Sequence, residues 1–181
     1  MESVSLINGK KYTIPAVLND KEGIDAFIAS NRGKKVVVVQ GLGFVGAVMS
    51  LVTANALTEE YAVIGIDLPN ETSYWKIKSI NEGFLPLSSS DKKVEQFFQC
   101  SKEKGNLYAT YDPYAYSKAD VIVVDINFFL RPLHGLFEKL EPGCVKINNK
   151  KEMRELFREA GLREIRQKRS FLLAVATMGM K

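Results

Sequence analysis

Gly41, Gly43 and Gly46 stand at the spacing Gly-x-Gly-x-x-Gly, directly after the run Val36-Val37-Val38-Val39-Gln40 and directly before an apolar stretch over 47–57. In such a loop each glycine has a different task. Gly41 permits the tight turn from strand into helix, Gly43 lets backbone amides approach a pyrophosphate, and Gly46 lets the helix pack closely on the sheet. The unpaired amides of the helix N-terminus and their partial positive charge then hold the diphosphate. Asp67 lies 21 residues beyond Gly46, at the end of Tyr61-Ala62-Val63-Ile64-Gly65-Ile66. A carboxylate there accepts both hydroxyls of an adenosine ribose and repels a 2′-phosphate, which favours NAD over NADP. The bland alternative is a tight turn followed by a solvated strand-end carboxylate.

Other chemically capable residues carry less. His134 is the sole histidine and sits between Leu133 and Gly135 in an expected surface helix, where a structural role is favoured over general acid–base work. Cys100 and Cys144 have no metal-ligand or redox spacing and read as small buried hydrophobes. Tyr74, Trp75, Tyr114 and Tyr116 read as core or interface material ahead of ligand-stacking surfaces.

The elements that must position the glycine loop follow from periodicity. A polar entry segment with a hairpin around Asn8-Gly9 precedes a short helix, which Asp20 caps and Gly33 ends. The valine run and Val121-Ile122-Val123-Val124 suit parallel strands buried on both faces. Between them come a helix over 47–57, the strand ending at Ile66, a helix over 73–81, a helix capped by Ser90 or Asp91 and ended by Gly105, and a strand over 106–110. Asp112-Pro113 opens a further short helix. Beyond Asp125 the pattern predicts a helix over 132–140, a strand over 144–147, a helix over 150–160, and strands over 163–167 and 171–177. The last two are linked so tightly that they pair antiparallel. The fold class is α/β: a single doubly wound Rossmann-like domain, mostly parallel, in strand order 3-2-1-4-5, with a C-terminal antiparallel pair. Residues 1–33 form an N-terminal extension, 34–130 a dinucleotide-binding βαβ core, and 131–181 the completion of the same sheet.

Composition narrows the class. The 181 residues are 46% hydrophobic and 25% charged, the balance of a globular protein, and leave no room for a full-sized second domain. No apolar run reaches the length of a membrane span, no secretory signal opens the chain, and two cysteines suit a reducing, cytoplasmic compartment. Net charge is +4, of which residues 146–169 supply +5 through nine Lys/Arg against four Glu. Met153, Leu156, Phe157 and Ala160 recur there at helical spacing, so these charges read as the wet side of an amphipathic helix, and a nucleic-acid partner is not expected.

Five segments stand at specific offsets: 39–46, Val63-Ile64-Gly65-Ile66-Asp67, Ile80-Asn81-Glu82-Gly83-Phe84-Leu85-Pro86, Ala109-Thr110-Tyr111-Asp112 and 119–124. Together they resemble the N-terminal NAD-binding domain of UDP-glucose/GDP-mannose-type nucleotide-sugar dehydrogenases, over about residues 34–127. The resemblance implies an oxidoreductase's cofactor domain: Gly41, Gly43, Phe44, Val45 and Gly46 along the pyrophosphate, Asp67 on the adenosine ribose, and Thr110 approaching the cofactor. Thr110 reads equally as a residue that merely fills its strand. The family oxidises a sugar C6 alcohol, so a nucleotide-sugar is an implied partner. Departures are specific. Leu87-Ser88-Ser89-Ser90 replaces an acidic residue after the loop proline, and Asp125-Ile126-Asn127 replaces a Pro-Thr-Pro-like turn. Neither cysteine lies in the Gly-rich segment that carries the family's nucleophile. The expectation is a domain that binds NAD and does not complete the oxidation alone.

Residues 140–143, 152–162 and 171–176 resemble instead the C-terminal end of Rossmann-like SAM-dependent methyltransferases, which finish with a Glu-Ala-Gly helix end and an antiparallel strand pair. SAM is therefore the alternative cofactor. Against it, Gln40 stands where those enzymes carry a carboxylate, and the glycine spacing differs from theirs. A non-catalytic nucleotide-binding or scaffold domain is the third reading.

Overall fold

Side chains alternate between the two faces of a strand, so four consecutive buried valines require cover on both sides. The computed structural model describes residues 1–127, 155, 158, 163–170 and 174–180. An N-terminal hairpin, β1 (Glu2–Val4) and β2 (Lys11–Thr13), is followed by α1 (Lys21–Ser30), β3 (Lys35–Gln40), α2 (Phe44–Ala54) and β4 (Tyr61–Ile66). Then come α3 (Tyr74–Asn81), α4 (Lys92–Lys104), β5 (Leu107–Thr110), α5 (Tyr114–Lys118) and β6 (Val121–Asn127), with β7 (Arg163–Ser170) and β8 (Ala174–Met180) at the C-terminal end. Glu155 and Arg158 are helical and exposed, within the helix predicted over 150–160.

The main sheet runs β5-β4-β3-β6-β8-β7. Its first four strands are parallel, with Val38 opposite both Ile64 and Ile122. That is the 3-2-1-4 arrangement of a doubly wound, Rossmann-like fold. The place beside β6 where order 3-2-1-4-5 puts a fifth parallel strand is taken by β8, antiparallel to β6 along Val121–Asn127. Strand β7 pairs antiparallel with β8 at the sheet edge, as the short link between them demands. The predicted strand over 144–147, the helix over 132–140, His134 and Cys144 lie outside the described residues.

Crossovers put helices on both faces. Val36 and Val38 pack with Ile24 and Phe27 of α1, with Ala115 of α5 and with Ala119 just after it. Val37 and Val39 face the other way, with Ala54 of α2 and Val63. That second side extends under α3 and α4 through Leu51, Trp75, Ile77, Ile80 and Phe98. Each such side chain contributes about 1.5–3 kcal/mol when fully buried. Asp120 Oδ2 accepts the Val36 N–H at 2.7 Å and ties the starts of β3 and β6 together.

Local signals hold at several ends. Asp91 accepts the Lys93 N–H at 2.9 Å, and Gly105 closes α4 in the left-handed region at φ 60°. Asp112 accepts the Tyr114 N–H at the start of α5. Three expectations change. Asp20 precedes α1 without a side-chain cap, because its carboxylate turns to β5. Cys100 is exposed on α4, since Phe98 and Ser101 take the buried stripe of that helix. The N-terminal hairpin is also more than an entry segment. Tyr12 is buried beside Trp75 and Leu42, and the Ser3 hydroxyl accepts the Trp75 N–H at 3.0 Å.

Candidate functional site

The glycine loop leaves β3 at its C-terminal end and enters α2 within three residues. Gly41 has φ 87°, a backbone conformation that side-chain-bearing residues rarely adopt. Its N–H donates to the Ile66 carbonyl at 2.7 Å, which binds the loop to the end of β4. Gly46 lies in the first turn of α2, against the loop itself: a Cβ there would overlap the Gly41 carbonyl oxygen. Gly43 is the opposite case. It has ordinary extended backbone, φ −67° and ψ −175°, and none of the described residues lies within 4 Å of where a Cβ would be. Of the three, only Gly43 has no reason among the described residues to be glycine, and it leaves open space beside the loop.

The helix begins at Phe44, and its first backbone bond is Ala47 N–H to the Gly43 carbonyl at 2.9 Å. The amides of Phe44, Val45 and Gly46 have no carbonyl one turn earlier to bond, and they carry the positive end of the helix dipole. No acidic side chain occupies this first turn. Phe44 is 60% exposed and Val45 49%, so both flank the loop as apolar surface.

Asp67 follows the last residue of β4 and is half-buried. Its Oδ2 accepts the Leu42 N–H at 2.9 Å and its Oδ1 accepts the Leu68 N–H at 2.8 Å. A carboxylate has roughly four lone-pair positions, so among the described residues one on each oxygen stays available. Burial, then the Asp67 charge, pushes the Tyr116 phenol above its usual range, which keeps that hydroxyl protonated near the carboxylate. Glycine loop and Asp67 therefore form one hydrogen-bonded unit at the ends of β3 and β4.

Thr110 stands apart from that unit. It ends β5, is fully buried, and donates its hydroxyl to Asp20 Oδ2 at 2.6 Å. The Tyr108 hydroxyl donates to the same carboxylate at 3.0 Å, and Asp112 accepts the Asp20 N–H at 2.9 Å. Burial, then the Asp20 charge, drives the Tyr108 phenol well above its usual range. Of the predicted site residues, Gly41, Gly43, Phe44, Val45, Gly46 and Asp67 come together, while the Thr110 hydroxyl is engaged in this neighbouring knot.

The other segments of the dehydrogenase resemblance have structural work. Asn81 exchanges two hydrogen bonds of 2.8 Å with the backbone of Ala109, and Gly83 ends the turn after α3 at φ 82°. Leu87, Ser88 and Ser89 line an open groove of about 540 Å³ with Ile7, distant in sequence from the glycine loop and including none of its residues. Trp75 donates its indole N–H to the Thr72 carbonyl and is buried core. The residue that sequence reasoning passed over is Leu42, whose side chain is buried while its amide meets Asp67. The available signal was Gly65, an isolated glycine inside a strand, which marks a close approach. Among the described residues no cluster of His, Cys, Asp and Glu is arranged to hold a metal ion, and no helix is long and apolar enough to cross a membrane.

No protein-family model and no curated protein matches the chain. Among solved structures, it is similar to an NDP-N-acetyl-D-galactosaminuronic acid dehydrogenase from Methanosarcina mazei Go1. The two share 23% identity and a TM-score of 0.45 over 55% of this chain and 21% of that one. It is also similar to a possible exported protein from Bordetella parapertussis, at 13% identity and a TM-score of 0.37, over 93% of this chain and 70% of that one. The chain thus spans about a fifth of the length of the dehydrogenase.

Proposed function

We propose that this chain binds an adenine dinucleotide, NAD in preference to NADP, across the glycine loop and Asp67. The observation that carries the reading is the pairing of two vacancies. Among the described residues, Gly43 leaves open space beside unpaired first-turn amides, and Asp67 keeps a lone pair on each oxygen after meeting Leu42 and Leu68. A diphosphate suits the first and a ribose diol the second. The carboxylate charge disfavours a 2′-phosphate at the same position. Bound NAD supplies a hydride acceptor; the residues here bind and orient it. By the resemblance of residues 34–127, that cofactor serves nucleotide-sugar oxidation, with the cysteine nucleophile of the reaction supplied from elsewhere. Thr110 supports this site through β5 and Asp20 rather than by touching the cofactor.

A second reading is favoured by one specific feature, the antiparallel β8 between β6 and β7. This is the terminal strand pair implied by the methyltransferase resemblance, and Asp67 would serve the ribose of SAM equally well. Calorimetric titration with NAD, NADP, SAM and S-adenosylhomocysteine separates the two. NAD binding most tightly is the expected result. Tighter binding of either SAM-type ligand would replace the first reading with the second. Absence of binding by all four at millimolar concentration would leave the scaffold reading.

A further inference from the structure

Gly65 is an oddity in β4. It is the sole glycine in a six-residue strand that is apolar and buried apart from the half-buried Tyr61 at its start, and glycine weakens a strand interior by its entropy and missing contacts. Its neighbours explain it. A Cβ at Gly65 would overlap Leu42 Cδ2 and come within 3.3 Å of Leu42 Cγ. Leu42 is only 2% exposed and packs in the cluster of Leu51, Trp75, Ile77 and Phe98, so its side chain has no free direction to swing. The backbone amide of that same residue donates to Asp67 Oδ2. The side chain of Leu42 thus enters the pit that Gly65 leaves, two residues before Asp67 in the same chain segment.

From this juxtaposition we infer that Gly65 and Leu42 are positioning residues: the Leu42 side chain, seated in the pit over Gly65, fixes its own amide on Asp67 and so holds the carboxylate in the orientation that receives the ribose. The inference rests on the reading of Asp67 as ribose acceptor for its purpose, while the fixation itself is a property of the chain without ligand. The physical reason is the short lever. A glycine-loop amide and a strand-end carboxylate are each mobile alone, and a buried leucine between them removes that freedom before ligand arrives, which lowers the ordering cost of binding.

The test uses the full chain, isotope-labelled, and follows the amide proton at position 42 by NMR as pH is lowered. In the unaltered protein its shift should titrate with the Asp67 carboxyl, and Asp67→Asn should abolish that titration. Gly65→Ala should abolish it too by displacing Leu42, and Gly65→Ala combined with Leu42→Val, which removes the overlapping methyl's reach, should restore it. NAD affinity should fall roughly tenfold in Gly65→Ala and recover in the double variant, the scale of one hydrogen bond to a charged group. Should Gly65→Ala fail to fold, Leu42→Ala empties the pit instead and should speed hydrogen exchange of the position-42 amide. A full-amplitude titration surviving in Gly65→Ala, or unchanged exchange in Leu42→Ala, would overturn the inference. If NAD binds to none of these proteins, the ribose reading fails while the amide titration still decides the positioning.

Discussion

Two carboxylates lie at the C-terminal ends of neighbouring strands, and they are used in opposite ways. Asp20 meets the side-chain hydroxyls of Tyr108 and Thr110, inside a knot that joins α1 to β5. Among the described residues Asp67 meets only backbone amides, one from the glycine loop and one from the residue that follows it, and is left with unused lone pairs. A charge whose partners are side chains of the same fold is committed to stability. A charge whose partners merely orient it is free to bind something else. The same contrast separates Gly46, which the loop's own backbone requires, from Gly43, which nothing among the described residues requires.

Variants can break this contrast, and the largest effect belongs to Gly46→Ala. Its Cβ meets backbone, not a movable side-chain tip, so unfolding free energy should fall by about 3 kcal/mol in urea denaturation. Thr110→Val should come next. It removes the 2.6 Å donor from a partly buried carboxylate and should cost about 1–3 kcal/mol of stability with NAD affinity unchanged once folded. Asp67→Ala should reverse that pattern by weakening NAD by about 1–3 kcal/mol in calorimetry, a larger change than it makes to stability. An equal loss of stability in both aspartate regions would erase the distinction. Gly43→Ala should alter stability by less than about 0.5 kcal/mol while its new methyl obstructs the diphosphate.

The smallest expected effect concerns pH and the N-terminal hairpin. The Lys10 ammonium, assisted by the Tyr12 hydroxyl, holds the Glu82 carboxyl below its ordinary value of 4.5. A carboxyl depressed on folding stabilises the fold above its unfolded value, and that contribution is lost as pH falls below 4.5 through the folded value. Melting temperature should therefore drop on acidification slightly more for the unaltered protein than for Glu82→Gln. The difference should be small, because Lys10 is half exposed and solvent screens the pair.

Much of the parallel half was legible in the sequence because local and global demands agree there. A β-branched run, a glycine loop and a carboxylate after the next strand each specify the same βαβ unit. Gly105 and Asp91 announced the ends of α4 for purely local reasons. The rest depended on tertiary partners that spacing does not reveal. Asp20 has the position of a helix cap, yet the hydroxyls of Tyr108 and Thr110, about 90 residues away, compete for it and win. Antiparallel pairing of the last two strands follows from a short link, but nothing local says that β8 enters the sheet beside β6. Leu42 looks like any variable residue between two glycines. Its importance emerges only when Gly65 is found beneath it.

The central claim is that one ligand spans the glycine loop and Asp67. Its most direct test is amide mapping by NMR during NAD titration of the isotope-labelled full chain. The account expects saturable perturbations at Gly43, Phe44, Val45 and Gly46 together with Leu68, all fitting a single dissociation constant. Perturbations confined to the groove at Ile7 and Leu87, or none at all at millimolar NAD, would contradict it.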